Sequence, residues 1–149
     1  MIQRVCSGGQ TGVDRAALDV ALELGVPCGG WCPSGRLAED GPLQGIYPLK
    51  ETPSESYAQR TEWNVRDSDG TLVLHRGSLS GGTAFTVELA KENNKPCLVI
   101  DLSTSPSQKL FDWVRLHRIC ILNVAGPRES GSPGIYGEAC SFLLKAFSE

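Results

Sequence analysis

At 149 residues with a formal net charge of -3, the chain is long enough for one domain with an ordinary core. Its acidic balance and lack of a long basic run argue against nucleic acid as the main partner. No apolar run approaches a membrane span and no charged leader precedes the first strand, so a soluble, cytoplasmic protein with no membrane contact is expected.

Ile2 to Cys6 reads as a strand, followed by a helix from Val13 to Leu24 with Val13, Ala16, Ala17, Val20 and Leu24 on one face and Gly25 as its stop. Val26 to Gly29 is a short second strand. Gly30 to Glu51, with three prolines and several glycines, is expected to be a long irregular loop of the functional kind. Thr52-Pro53-Ser54-Glu55 places a helix start at Pro53, running to Arg66. Asp69-Gly70 turns the chain into a strand over Thr71 to Leu74, and a second glycine turn opens a helix from Thr83 to Asn93. Cys97 to Asp101 and Arg118 to Asn123 are strands around a helix from Ser107 to Leu116. A final helix spans Pro133 to Phe147. The pattern predicts an α/β, Rossmann-like doubly wound parallel sheet of about five strands with helices on both faces, as a single domain over 1–149.

The chemistry concentrates in the turns. Ser7-Gly8-Gly9-Gln10-Thr11-Gly12-Val13-Asp14 and Ser80-Gly81-Gly82-Thr83 each follow a strand and open a helix, where backbone N–H groups and the helix dipole receive an anion. The first turn lacks the G-x-G-x-x-G spacing, and the second strand ends Cys28-Gly29-Gly30 without a ribose-binding acid, which argues against an ordinary NAD site. Val13 stands where a nucleotide-hydrolase loop carries lysine, so phosphoryl transfer loses support. A backbone cradle remains, with Gln10 and Thr11 as side-chain donors; the alternative is that the glycines only permit a tight turn and close helix packing. Asp14 either belongs to the site or only complements its helix dipole, and Arg15 and Asp19, four residues apart, fit a solvated pair.

The loop Trp31 to Gly41 holds Trp31, Ser34, Arg36, Glu39 and Asp40. Arginine suits phosphate, carboxylates accept from the N–H groups of a pterin or purine, and tryptophan stacks on a flat heterocycle. The alternative is that Trp31 is core and Arg36 pairs with Glu39 or Asp40. Arg128, in the loop after the last strand, should reach the same rim. The cysteines Cys6, Cys28, Cys32, Cys97, Cys120 and Cys140 read as reduced thiols, with Cys6, Cys97 and Cys120 in apolar runs and Cys140 on a helical apolar pattern. Cys28 and Cys32 lack zinc-knuckle spacing, and neither His75 nor His117 completes a set, so no protein-ligated metal is expected.

The strings Ser7 to Ala17, Gly29 to Pro33 with Gly35-Arg36 and Ala38 to Pro42, Arg60 to Thr71, Ser80 to Thr83, and Asn123 to Ser130 resemble the molybdenum cofactor carrier proteins over nearly the whole chain. The resemblance implies a Rossmann-like fold of the SLOG and lysine-decarboxylase-like group, which includes the cytokinin-activating phosphoribohydrolases. It implies a homo-oligomer, in particular a tetramer, that binds, protects and transfers molybdopterin-type cofactor (Moco) without catalysis. A molybdoenzyme or a Moco-biosynthesis protein would be the transfer partner. In that cofactor a dithiolene holds the metal, so no protein ligand is required. The cofactor-binding set expected on this basis is Gly8, Gly9, Gln10, Thr11, Gly12, Asp14, Trp31, Ser34, Arg36, Glu39, Asp40, Ser80, Gly81, Gly82, Thr83 and Arg128. Two rivals stand beside it: a nucleoside 5'-monophosphate phosphoribohydrolase, whose family carries a Gly-Gly-x-Gly-Thr turn and a nearby glutamate where this chain has Gly81-Gly82-Thr83 and Glu88, and a non-catalytic sensor of an ADP-ribose-like nucleotide.

Overall fold

The computed structural model describes residues 2–79 and 81–148; Ser80 of the second glycine turn therefore lies outside the described residues. A five-stranded, all-parallel sheet is formed by β1 (Arg4–Cys6), β2 (Cys28–Gly29), β5 (Gly70–His75), β6 (Cys97–Asp101) and β7 (Ile121–Ala125), in the order β2-β1-β7-β5-β6. Five helices cover it: α1 (Val13–Leu24), α2 (Tyr57–Arg66), α3 (Gly81–Glu92), α4 (Gln108–His117) and α5 (Ile135–Phe147). Helices α1 and α5 pack on each other with α4 against α5, while α2 packs on α3 at the other face. Burial on both faces explains why β5 is enclosed along its whole length and why Val5, Leu72, Leu74, Ile100, Leu122 and Val124 form the core with Ala16, Ala17 and Val20 of α1.

Strand order locates the ligand site. Counted from β7 instead of β1, the order reads 3-2-1-4-5, the doubly wound arrangement with its usual first strand moved to the end of the chain. The direction of winding reverses between β7 and β5. In open α/β sheets the crevice outside the carboxyl ends of strands at such a point is where ligands bind.

Several boundaries differ from the sequence reading. Helix α2 begins at Tyr57, capped by Ser56, whose hydroxyl accepts from the Ala58 N–H at 3.1 Å. The Thr52 hydroxyl instead donates to the Ser54 carbonyl and the Gln59 side chain accepts from the Ser54 N–H, so these polar groups hold residues 52–55 in a turn. Strand β7 begins three residues later than expected because Arg118, at φ 53, is the left-handed cap of α4. Helix α3 starts at Gly81 rather than Thr83, and β1 and β2 are shorter than their apolar runs. The 30–51 segment is less irregular than expected: β3 (Trp31–Cys32) and β4 (Lys50–Glu51) pair in parallel and close its two ends. Cys6, Cys28 and Cys32 are buried, whereas Cys97, Cys120 and Cys140 are only half-buried.

Candidate functional site

A cavity of about 560 Å³ opens at the carboxyl edge, over the junction of β7 and β5. The segment Asn123–Arg128 runs along it, joined by Gly8, Gln10 and Asp14 from the first turn and by Gly81, Gly82 and Thr83 from the second. Helix α2 supplies Tyr57, Arg60 and Asn64, and the end of β5 supplies His75 and Arg76. Arg60, Arg76 and Arg128 line the cavity, with Asp14 the one carboxylate on the wall among the described residues; Arg76 is held from behind by Glu138 at 2.7 Å and by Ser132, and Arg128 lies 3.8 Å from Glu39. Two helix N-termini, of α1 and α3, add partial positive charge at the same edge.

The first turn is held by an ion pair beneath it. Arg60 is buried; its Nη1 donates to the Gly8 carbonyl at 2.9 Å and lies 3.6 Å from the Asp14 carboxylate, which also accepts from the Gln10 N–H at 3.3 Å. A Cβ on Gly8 would collide with the Arg60 guanidinium, so glycine there lets the arginine pass under the loop. Burial pushes the Asp14 carboxyl up to about 6 against the opposing pull of Arg60 and the Gln10 N–H. Gly12 has a different task. At φ 77 it caps α1, and a Cβ would strike the Pro127 carbonyl, because the third loop lies across it and accepts from the Val13 N–H at 3.2 Å.

The Trp31–Gly41 loop reaches the rim but not the cavity wall. Glu39 accepts hydrogen bonds from the Thr11 and Ser130 hydroxyls and lies 3.8 Å from Arg128, and those hydroxyls hold its carboxyl below the usual range. The Glu39 N–H donates to the Gln10 side chain at 2.8 Å, so this residue joins the first and third loops. Asp40 takes a two-pronged pair from Arg15, at 3.0 and 3.1 Å, in place of the expected Arg15–Asp19 pair. Asp19 instead accepts from the Tyr47 and Tyr136 hydroxyls, each at 2.6 Å. Arg36 is turned onto its own loop, donating to the carbonyls of Leu43, Gln44, Tyr47 and Leu49 at 2.7–3.3 Å; it pairs with neither Glu39 nor Asp40. Trp31 packs edge-on against Trp63 at 4.7 Å and donates from its indole N–H to Asp67, while the Ser34 N–H is bound to the Ser54 carbonyl.

Of the sixteen residues anticipated from sequence, the structure brings Gly8, Gln10, Asp14, Gly81, Gly82, Thr83 and Arg128 to one cavity. Gly9, Thr11, Gly12, Trp31, Ser34, Arg36, Glu39 and Asp40 stand behind or beside it, and Ser80 lies outside the described residues. Sequence reasoning missed Arg60, Asn64, His75, Arg76, Tyr57 and Phe85. A signal existed: Tyr57, Arg60, Thr61 and Asn64 fall at helical spacing, giving α2 a polar stripe where a covering helix is usually apolar. Tyr57 and Phe85 are about two-fifths exposed (39% and 40%) and carry aromatic surface into the cavity mouth. Among the described residues no three His, Cys, Asp or Glu side chains gather as a metal site. No described helix is long and apolar enough to cross a membrane.

A parallel sheet wound in this order, with a cationic cavity at its switch point, defines a Rossmann-like ligand-binding domain. Residues 5–147 match the circularly permutated YpsA SLOG family, and the chain belongs to that family. The permutation in the family's description corresponds to the displaced strand β7. The chain is 47% identical to a protein from Syntrophus aciditrophicus SB whose crystal structure is named "Putative molybdenum carrier protein", with a TM-score of 0.95 over 99% of this chain and 96% of that one. Among curated proteins no significant match is found.

Proposed function

We propose that the cavity at the β7–β5 junction binds molybdopterin-type cofactor as cargo, shields it and releases it to a molybdoenzyme or a cofactor-biosynthesis protein. The observation that carries the reading is the lining itself: three guanidinium groups and two glycine turns at helix N-termini around one carboxylate, on a fold 47% identical to a protein named as a molybdenum carrier. A volume of about 560 Å³ suits a ligand of this size. The chemistry of the lining fits the cargo's parts. The Gly81–Thr83 backbone receives the phosphate, Arg60, Arg76 and Arg128 offset its charge and that of the oxometal end, and Tyr57 and Phe85 offer faces to the pterin. Glu39, Thr11 and Ser130 tie the 31–41 loop over the first turn and keep the rim closed.

The proposal treats the protein as a binder and not an enzyme, and includes the homo-tetramer that the family resemblance implies and the cytoplasmic setting expected from sequence. Light scattering on the purified protein checks the tetramer. The phosphoribohydrolase alternative draws support from one group, the buried Asp14 on the cavity wall, while Glu88 is exposed on α3 and away from that wall. Incubation with AMP decides between them, since free adenine would establish hydrolysis. For the carrier reading, protein isolated anaerobically from a cofactor-producing host is expected to contain molybdenum by mass spectrometry and oxidised pterin by fluorescence. Protein that carries neither and takes up no added cofactor would overturn it.

A further inference from the structure

We propose that His75 contacts the bound ligand directly, its imidazole hydrogen-bonding an anionic oxygen of the cargo; only the identity of that cargo rests on the carrier reading. His75 is the last residue of β5, one side of the switch point, and it lines the cavity while only 8% exposed. Register places Val73 beside Ala125 at the end of β7 and His75 beside Asp101 of β6. Among the described residues its Nδ1 is the one buried side-chain nitrogen or oxygen without a hydrogen-bond partner.

Three other polar side chains of the cavity are served from within the protein. The Asn123 amide donates to the Thr71 hydroxyl at 3.2 Å, the Thr86 hydroxyl to the Gly82 carbonyl at 2.9 Å, and Arg60 to the Gly8 carbonyl at 2.9 Å. Leaving a buried polar group unmatched is costly and rare in native proteins. His75 bears this cost where three arginines attract an anion, and a ligand oxygen relieves it. Nδ1 is itself shut off from the cavity, so the contact requires the ring to turn about its Cβ–Cγ bond, which brings Nδ1 round to donate to an anionic oxygen.

The chain has only two histidines, and the other, His117, is exposed at the end of α4. Ring ¹⁵N spectra of histidine-labelled protein therefore contain two imidazoles, assigned with His117→Gln. Titration with inorganic phosphate, with molybdate, and with cofactor released anaerobically from a molybdoenzyme is expected to move the His75 nitrogens saturably and leave His117 still. His75→Asn keeps an amide N–H near the Nδ1 position and is expected to retain most of the affinity. His75→Gln and His75→Leu are expected to lose about ten-fold or more. If the leucine variant does not fold, the contrast between asparagine and glutamine carries the comparison. Cofactor retained by the wild type with a motionless His75 ring would overturn this inference and leave the carrier reading intact. Failure of the wild type to bind cofactor would overturn the carrier reading, and the phosphate and molybdate arms then decide His75: movement supports the contact and stillness with every probe refutes it.

Discussion

Asp14→Asn isolates the electrostatics of the first turn. Burial, partly offset by Arg60 and the Gln10 N–H, pushes the Asp14 carboxyl from the ordinary 3.8 up to about 6. Between those values the folded protein holds a proton that the unfolded chain has released, so stability falls as pH rises through this window and the full penalty is present above it. At about 1.4 kcal/mol per pH unit the interval from 3.8 to about 6 amounts to about 3 kcal/mol. Asparagine has the same shape and does not ionise. Its stability relative to wild type should therefore be nearly level at pH 4 and rise by about 3 kcal/mol by pH 7.5. For a chain of 149 residues, with an unfolding entropy of about 2.1 cal/mol/K per residue, this corresponds to about 10 °C in Tm. Urea unfolding of ligand-free protein, followed by tryptophan fluorescence across pH 4–8, measures the difference directly. Curves for wild type and variant that run parallel through the window would refute the buried-carboxylate argument.

Other substitutions test separate parts of the site. Gly81 lies at φ +53 with open space within 4 Å of a Cβ, so Gly81→Asp should cost only about 1 kcal/mol of backbone strain. Its carboxylate on the cavity wall should nevertheless weaken cofactor retention more than ten-fold, measured by bound molybdenum beside a thermal melt. Tyr57→Ala combined with Phe85→Ala should reduce binding of the pterin cargo while leaving inorganic phosphate binding unchanged, as compared by calorimetry. Arg36→Met should free residues 37–49 to early cleavage in limited proteolysis and cost about 2 kcal/mol, since a charged donor to four carbonyls is lost.

The elements that could be read from sequence were those in which local chemistry and packing agree. Helix α1 runs from Val13 to Leu24 as its apolar face and Gly25 imply, and β6 spans Cys97 to Asp101 as its apolar run implies. The start of α2 was misplaced because Thr52, Ser54 and Ser56 all offer capping hydroxyls, and their competition is settled only by where Gln59 and the chain fold back. The glycine turns were legible as strand-to-helix turns since any such tight turn restricts the choice of residue. Arg60 was marked only by the polar stripe of α2, and His75 by nothing local, because its place at the cavity depends on β7 inserting between β1 and β5, a long-range pairing. Arg36, Glu39 and Asp40 were legible as a charged loop, but their partners, four carbonyls, Ser130 with Thr11, and Arg15, are set by how that loop folds back.

The central claim is that this cavity holds the cofactor. Equilibrium dialysis of apo protein against cofactor released anaerobically from a molybdoenzyme, with wild type and Gly81→Asp in parallel, tests it most directly. One molybdenum and one pterin per chain on the wild type, and neither on a folded Gly81→Asp, is the predicted result. Equal uptake by both proteins, or none by the wild type, would contradict it.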